Sequence, residues 1–316
     1  MTSSQTILEN LKGITEYLNQ FTKKQRPTYF EKLVAEAFSH ILHLPFYASD
    51  SDDAGIPHRV IWQGRVNPVC KAPGGGPDAI ARCYHFDLII EATKNTEANQ
   101  WAREFASSIR HSEDFCSQAQ IQAKDVLTLL ICTELHRDTY RSIKSNPKEE
   151  YKLIPIEVSN LEKILKTSIL AFTIRHLELR RLLNQISKCI RDSSSLDDFR
   201  SAVDSLLTNW QKDVLKVEKK AVIAVKSYKA MRMINRTHIG TSEIFQRLQG
   251  DEAINEYLEI IEEKLSFDIV EESLIQQHLA SELSPTYDER VFYPVPFADF
   301  KERQLRLIKA LEEING

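Results

Sequence analysis

"PGGGPDAIARCYHFDLIIEATK", residues 73–94, decides how this chain is read, because it sets acids inside an otherwise apolar, strand-like run that follows glycines. Two short apolar runs, Ala79–Ala81 and Leu88–Ala92, flank a polar and aromatic step, which is the pattern of a hairpin. A bend at His85 and Phe86 pairs Tyr84 with Asp87 and sets Asp78 opposite Thr93. Cross-strand partners share a face, and so do alternate residues. Asp78, Ile80, Arg82, Glu91 and Thr93 then project from one side, with Asp78 and Glu91 as diagonal neighbours roughly 7 Å apart at Cβ. A slip of one residue would break the acid pair, because it exchanges the faces. Two carboxylates this close raise each other's pKa unless a cation lies between them, and their hard oxygen atoms suit Mg²⁺, with Mn²⁺ as the alternative.

Working outward, apolar residues at helical spacing predict helices over 4–21 and 28–43, the second opened by Pro27. Residues 44–77 read as loops around a short strand at "RVIW". "VLTLLICTEL" (126–135) and "YKLIPIEV" (151–158) read as buried strands, with a helix from about Ser159. A helix over about 96–111 carries an apolar stripe of Ala98, Trp101, Ala102, Phe105 and Ile109. A second stripe, about 100° round, holds Gln100, Glu104, Ser107 and His111. That second stripe can aim at the end of the Glu91 strand and makes Glu104 a candidate third ligand. His111 reads either as a base or as a helix-end residue. Glu36, among Leu33, Val34 and Phe38, is the preferred acid of the first-half helix over Glu31.

The bulk composition excludes several classes. The 316 residues are 42% hydrophobic and 27% charged with a net charge of -4, so affinity for nucleic acid must come from a local patch. Five cysteines without a CxxC pair argue against a zinc site and for reduced thiols in a cytoplasm. There is no signal-peptide pattern, and no apolar run approaches the ~18 residues of a membrane span. "PGGGP" matches neither a phosphate loop nor a dinucleotide fingerprint.

Pro77-Asp78, twelve residues, then Glu91-Ala92-Thr93 at the end of an apolar strand, after a helix carrying Glu, resembles the PD-(D/E)xK nuclease superfamily. Within it, "EATKNTEANQWAREFASSIRH" (91–111) is similar to the AlwI-type restriction and nicking endonucleases, whose last motif reads Glu-x-Thr before a helix with Gln, Glu and Arg-His. The resemblance spans roughly 28–165. It implies an α/β fold with a restriction-endonuclease-like core, a central mixed sheet flanked by helices. It also implies Mg²⁺-dependent hydrolysis of phosphodiesters in double-stranded DNA, with Asp78, Glu91 and Glu104 as metal-site acids and Glu36 as a fourth. The superfamily's lysine would stand at 93, where this chain has Thr93. Thr93 orienting water with Lys94 or Gln100 on phosphate, or dependence on a partner chain, are the readings left open.

After 159 the pattern is almost wholly helical, giving a nuclease domain over 1–170 and an all-helical domain over 171–316 for DNA recognition or contact with a homodimer mate or other partner. Lys212, Lys216, Lys219, Lys220, Lys226, Lys229, Arg232 and Arg236 crowd 211–240, the candidate DNA contact, and Thr241 or Ser242 is placed to cap a short following helix. Residues 251–272 form an acidic helix expected to meet a basic surface or solvent.

Overall fold

The computed structural model describes residues 2–48, 58–64, 76–83, 85–94, 96, 105–146, 153–171, 174, 176–234, 239–276, 280–282 and 291–294. These fall into two compact units, one of Met1–Ile169 with Ile174–Thr208, the other of Leu170–Thr173 with Asn209–Gly316. The last of the boundaries, after Thr208, falls inside one 39-residue helix.

The first unit is built on a six-stranded mixed sheet. Its strands are β1 (Phe46–Ala48), β2 (Arg59–Trp62), β3 (Ala79–Arg82), β4 (Asp87–Thr93), β5 (Val126–Cys132) and β6 (Leu153–Glu157), in that spatial order. β2, β3 and β4 run antiparallel to their neighbours within that trio, while β1 is parallel to β2 and β4, β5 and β6 are parallel to one another. β4 and β5 are buried at every residue, as interior strands of a sheet covered on both faces are, and this burial takes in the acids Asp87 and Glu91 as well as the apolar residues.

The expected first helix is two, α1 (Ser4–Lys12) and α2 (Ile14–Asn19), divided at Gly13. α3 (Arg26–Ile41) begins earlier than expected, with Pro27 in its first turn, where the missing N–H costs nothing. It covers the face that carries Trp62: the Lys32 ammonium lies 6.0 Å from the centroid of that ring. α4 (Ala106–Ala119) covers the other face, its Phe115 and Cys116 packing with Ile89 and Val126. The rotation of α4 corrects the stripe assignment. The inward face holds Ser108, His111, Ser112, Phe115 and Cys116, in phase with the expected second stripe, while Ile109 is only half-buried. α5 (Arg137–Lys144) connects β5 to β6, and α6 (Val158–Leu170) and α7 (His176–Asp192) follow. Near the carboxyl end of β6, Arg200 donates to Glu157 at 2.8 and 3.0 Å and to the carbonyl of Leu135 at 3.2 Å.

α8 (Leu196–Ile234) leads into the second unit, whose core gathers Leu215, Ile223, Tyr228, Ile244, Ile254, Tyr257 and Val270. α9 (Thr241–Gln249), α10 (Glu252–Ile260) and α11 (Phe267–Gln276) are its other helices among the described residues. The unit departs from the all-helical expectation by three short strands, β7 (Ile239–Gly240), β8 (Ala280–Glu282) and β9 (Val291–Pro294), in the order β7-β9-β8. The single acidic helix expected over 251–272 is instead α10 and the start of α11, interrupted at Glu262, which adopts φ 57°.

Candidate active site

The site begins with the register of β3 against β4. Ala79 faces Ile90, Ile80 faces Ile89, Ala81 faces Leu88 and Arg82 faces Asp87. The hairpin is closed by Cys83 N–H donating to Phe86 O at 3.1 Å. The expected pairing of Tyr84 with Asp87 is therefore corrected. The bend lies one residue earlier, between Cys83 and Phe86, and the strands are displaced by two. An even displacement preserves the faces, so Asp78, Ile80 and Arg82 still share a side with Glu91. Continued one step past Ala79↔Ile90, the register sets Asp78 directly across from Glu91 rather than diagonal to it.

Backbone contacts fix Asp78 there. Its carbonyl accepts from Gln63 N–H at 2.9 Å, tying it to the end of β2. Its Oδ2 accepts from the Ala92 N–H at 2.8 Å, which draws the carboxylate against the Glu91-Ala92 peptide. Glu91 is buried, and its Oε1 lies 2.6 Å from Nδ1 of His111, reaching in from α4. Both side chains are more than nine-tenths buried, so this contact is screened little by solvent. The sequence left His111 between a base and a helix-end residue, and its contact with Glu91 is what brings it into the site. The signal was its position on the stripe directed at the Glu91 strand.

Of the other expected site residues, Thr93 is buried beyond Glu91, and Lys94 is exposed beside it. Gln100 and Glu104 lie outside the described residues. Glu36 is buried on α3, over the opposite face, where the hydroxyl of Thr2 lies 3.2 Å from both its carboxylate oxygens and Lys32 stands 3.9 Å away. Burial, and then the charge of Glu36, push Tyr17 up to about 12. Among the described residues no group of three or more His, Cys, Asp or Glu is placed to hold a metal. The donor pair itself is Asp78 and Glu91, all oxygen, which fits Mg²⁺ or Mn²⁺ better than a softer metal.

At the turn end of the same hairpin, Arg82 Nη1 donates to Asp87 Oδ2 at 2.7 Å. Burial holds Asp87 above the usual carboxylate range, against the opposing pull of Arg82.

The candidate DNA-contact lysines of α8 are met by acids. Lys212 pairs with Glu262, Lys219 with Glu263, Lys220 with Glu272 and Lys226 with Asp251. The acidic segment thus meets a basic surface within its own unit. Lys229 is exposed; Arg236 and the side chain of Arg232 lie outside the described residues. Gly240, rather than Thr241 or Ser242, holds the N-cap position of α9, and the Thr241 hydroxyl donates to Glu271 at 2.8 Å.

The model of a family described as AlwI restriction endonuclease matches residues 2–164. Among solved structures the chain is similar to the small subunit of the heterodimeric restriction endonuclease R.BspD6I, at 18% identity and a TM-score of 0.49, covering 65% of this chain and 98% of that one. No curated protein matches it. Among the described residues no helix is long and apolar enough to cross a membrane.

Proposed function

The chain belongs to the AlwI restriction endonuclease family, and from that premise we propose that it is a Mg²⁺-dependent endonuclease that hydrolyses phosphodiesters of double-stranded DNA at the open end of the β3–β4 hairpin. The observation that carries this reading is the facing of Asp78 and Glu91 on one sheet surface, near the carboxyl ends of β4, β5 and β6, where open α/β sheets receive ligands. Asp78 and Glu91 would hold the ion, with Glu104 as a further acid; Glu36, over the opposite face of the sheet, would not reach it. When bound, the ion lowers the pKa of a water and offsets charge gathering on the phosphoryl oxygens.

The protein's own part is positional. The Ala92 N–H orients the Asp78 carboxylate, and the His111 imidazole fixes Glu91, so neither acid has to be ordered when substrate arrives. Thr93, Lys94 and Gln100 are the candidates for handling water and phosphate.

A second reading follows from Thr93, which stands where the superfamily's lysine is expected: a subunit that cuts only with a partner. Plasmid cleavage with and without Mg²⁺, by wild type and Asp78→Ala, separates the two. Metal-dependent cutting lost in the variant supports the first; a wild type that binds DNA without cutting it supports the second.

A further inference from the structure

The sequence of the α2–α3 turn, "QFTKKQRPTYFEK" (20–32), holds Lys23, Lys24, Arg26 and Lys32 against one acid, Glu31, in a chain whose net charge is -4. It lies well before the cationic stretch of α8, and the family resemblance gives it no role.

Topology places this turn. Lys32 stands over Trp62, the last residue of β2; Trp62 is the cross-strand partner of Ala79, and the next residue, Gln63, donates to Asp78. At its other end α3 leads into β1, whose Phe46 pairs with Val60 near the start of β2. α3 therefore runs antiparallel to β2, and its N-terminus emerges at the same end of the sheet as Asp78 and Glu91, from the face opposite their side chains. At 1.5 Å per residue, Arg26 lies about 9 Å beyond Lys32.

The turn is also held rigid. Phe21 and Tyr29 stack with centroids 3.6 Å apart and planes 9° from parallel, and Tyr17 packs edge-on against Phe21 at 5.3 Å. The side chain of Gln25 accepts from the Thr22 N–H and hydroxyl at 3.1 and 2.9 Å, while Arg26 Nε donates to Phe21 O at 3.2 Å. Lys23 and Lys24 are exposed on this frame, and among the described residues neither forms an ion pair. The cations of α8 differ, since Lys212, Lys219, Lys220 and Lys226 all meet carboxylates. A cation already matched gains less from a phosphate, because it must first give up a carboxylate. A cation held ready on a fixed turn loses little on binding.

We propose that the α2–α3 turn is a DNA-backbone contact, in which Lys23 and Lys24 neutralise phosphates flanking the one seated at Asp78 and Glu91. This rests on the nuclease reading. Such contacts position the duplex without reading its sequence, so they loosen binding about equally for all sequences when removed.

The experiment measures binding of a fluorescein-labelled random-sequence 30-base-pair duplex to the full chain in EDTA across a salt series, beside plasmid cleavage in Mg²⁺. Each phosphate contact contributes about 0.9 to the slope of log K against log salt. Lys23→Ala/Lys24→Ala is expected to reduce that slope by about 2 with an unchanged melting midpoint, and Lys23→Gln/Lys24→Gln to do the same. An unchanged slope in both, with a wild type that binds and cuts, overturns the turn as a contact and leaves the nuclease reading standing. A drop seen only in Lys219→Ala/Lys220→Ala moves the contact to α8 and overturns it equally. A wild type that neither binds nor cuts DNA fails the nuclease reading, and this inference with it.

Discussion

The two ends of the β3–β4 hairpin carry the same ingredients in opposite arrangements. At the turn end, Arg82 faces Asp87 at 2.7 Å, and its guanidinium lies 4.6 Å from the centroid of Phe115. At the open end, on the same face, Asp78 stands across from Glu91, met by a peptide N–H and an imidazole. One end matches charge, so removing either partner leaves the other buried and unpaired. The other sets two like charges together, an arrangement that costs stability until a cation arrives. The sharpest way to break this comparison is Asp78→Asn, which keeps an acceptor for the Ala92 N–H and removes the charge. Plasmid cleavage is expected to fall by about three orders of magnitude or more, while the melting midpoint in EDTA stays level or rises. A cleaving Asp78→Asn enzyme would end the assignment.

His111 and Asp87 sharpen the same contrast with smaller effects. His111→Ala should cut activity about 10- to 100-fold, the usual cost of losing a group that orients a metal ligand. It should also raise the Mg²⁺ concentration needed for half-maximal rate, which a purely structural loss would leave in place. Asp87→Asn should behave in the reverse way. Cleavage stays within about threefold, and urea unfolding shows a loss of about 1–3 kcal/mol, the range for breaking a partly buried ion pair. If Asp87→Asn abolished cleavage without destabilising the fold, the turn end would belong to the active site.

The acid pair was legible in the sequence for a reason independent of where the turn fell. Strand parity survives any even slip, so Asp78 and Glu91 share a face in the expected register and in the observed one. The turn itself was not legible, because Cys83-Tyr84-His85-Phe86 has no Gly, Asn or Asp to mark it. On α4 the polar stripe proved to face inward, because Ser108, Ser112 and His111 find partners there: Ser112 bonds Ser108 O and the Thr128 hydroxyl, and His111 meets Glu91. A hydrophobicity pattern favours the apolar stripe and cannot anticipate that compensation. The lysines of α8 were conspicuous as a charge run, but their acidic partners lie 25 to 52 residues further along the chain.

A pH series probes the first unit away from the hairpin. His176 is buried, and its Nε2 lies 2.8 Å from Leu42 O, joining the start of α7 to the end of α3. Burial, the largest effect, lowers its pKa from the ordinary 6.5, although the Leu42 contact pulls the other way. The fold thus favours the neutral ring. The stability this contributes is present above pH 6.5 and is lost as pH falls through the lowered value. The melting midpoint should decline on acidification below about pH 6.5, at roughly 2–4 °C per kcal/mol. His176→Gln, which keeps a donor, should flatten that decline. An equally steep decline in the variant would assign the effect to another group.

The smallest effects belong to the lysine row of α8. Lys212, Lys219 and Lys226 recur every seven residues, so they lie along one stripe of the helix, and their partners flank α10, Asp251 before it and Glu262 and Glu263 after it. Each pair is partly exposed, and such pairs contribute about 0–1 kcal/mol. Lys226→Ala is expected near the top of that range, because Asp251 also caps α10 by accepting from the Ile254 N–H at 3.1 Å, and Lys226 steadies that carboxylate. Lys220→Ala, whose partner Glu272 is more than half exposed, should be nearly silent. If both variants instead lost several kcal/mol in urea unfolding, charge matching in the second unit would be a main support of its fold rather than a surface trim.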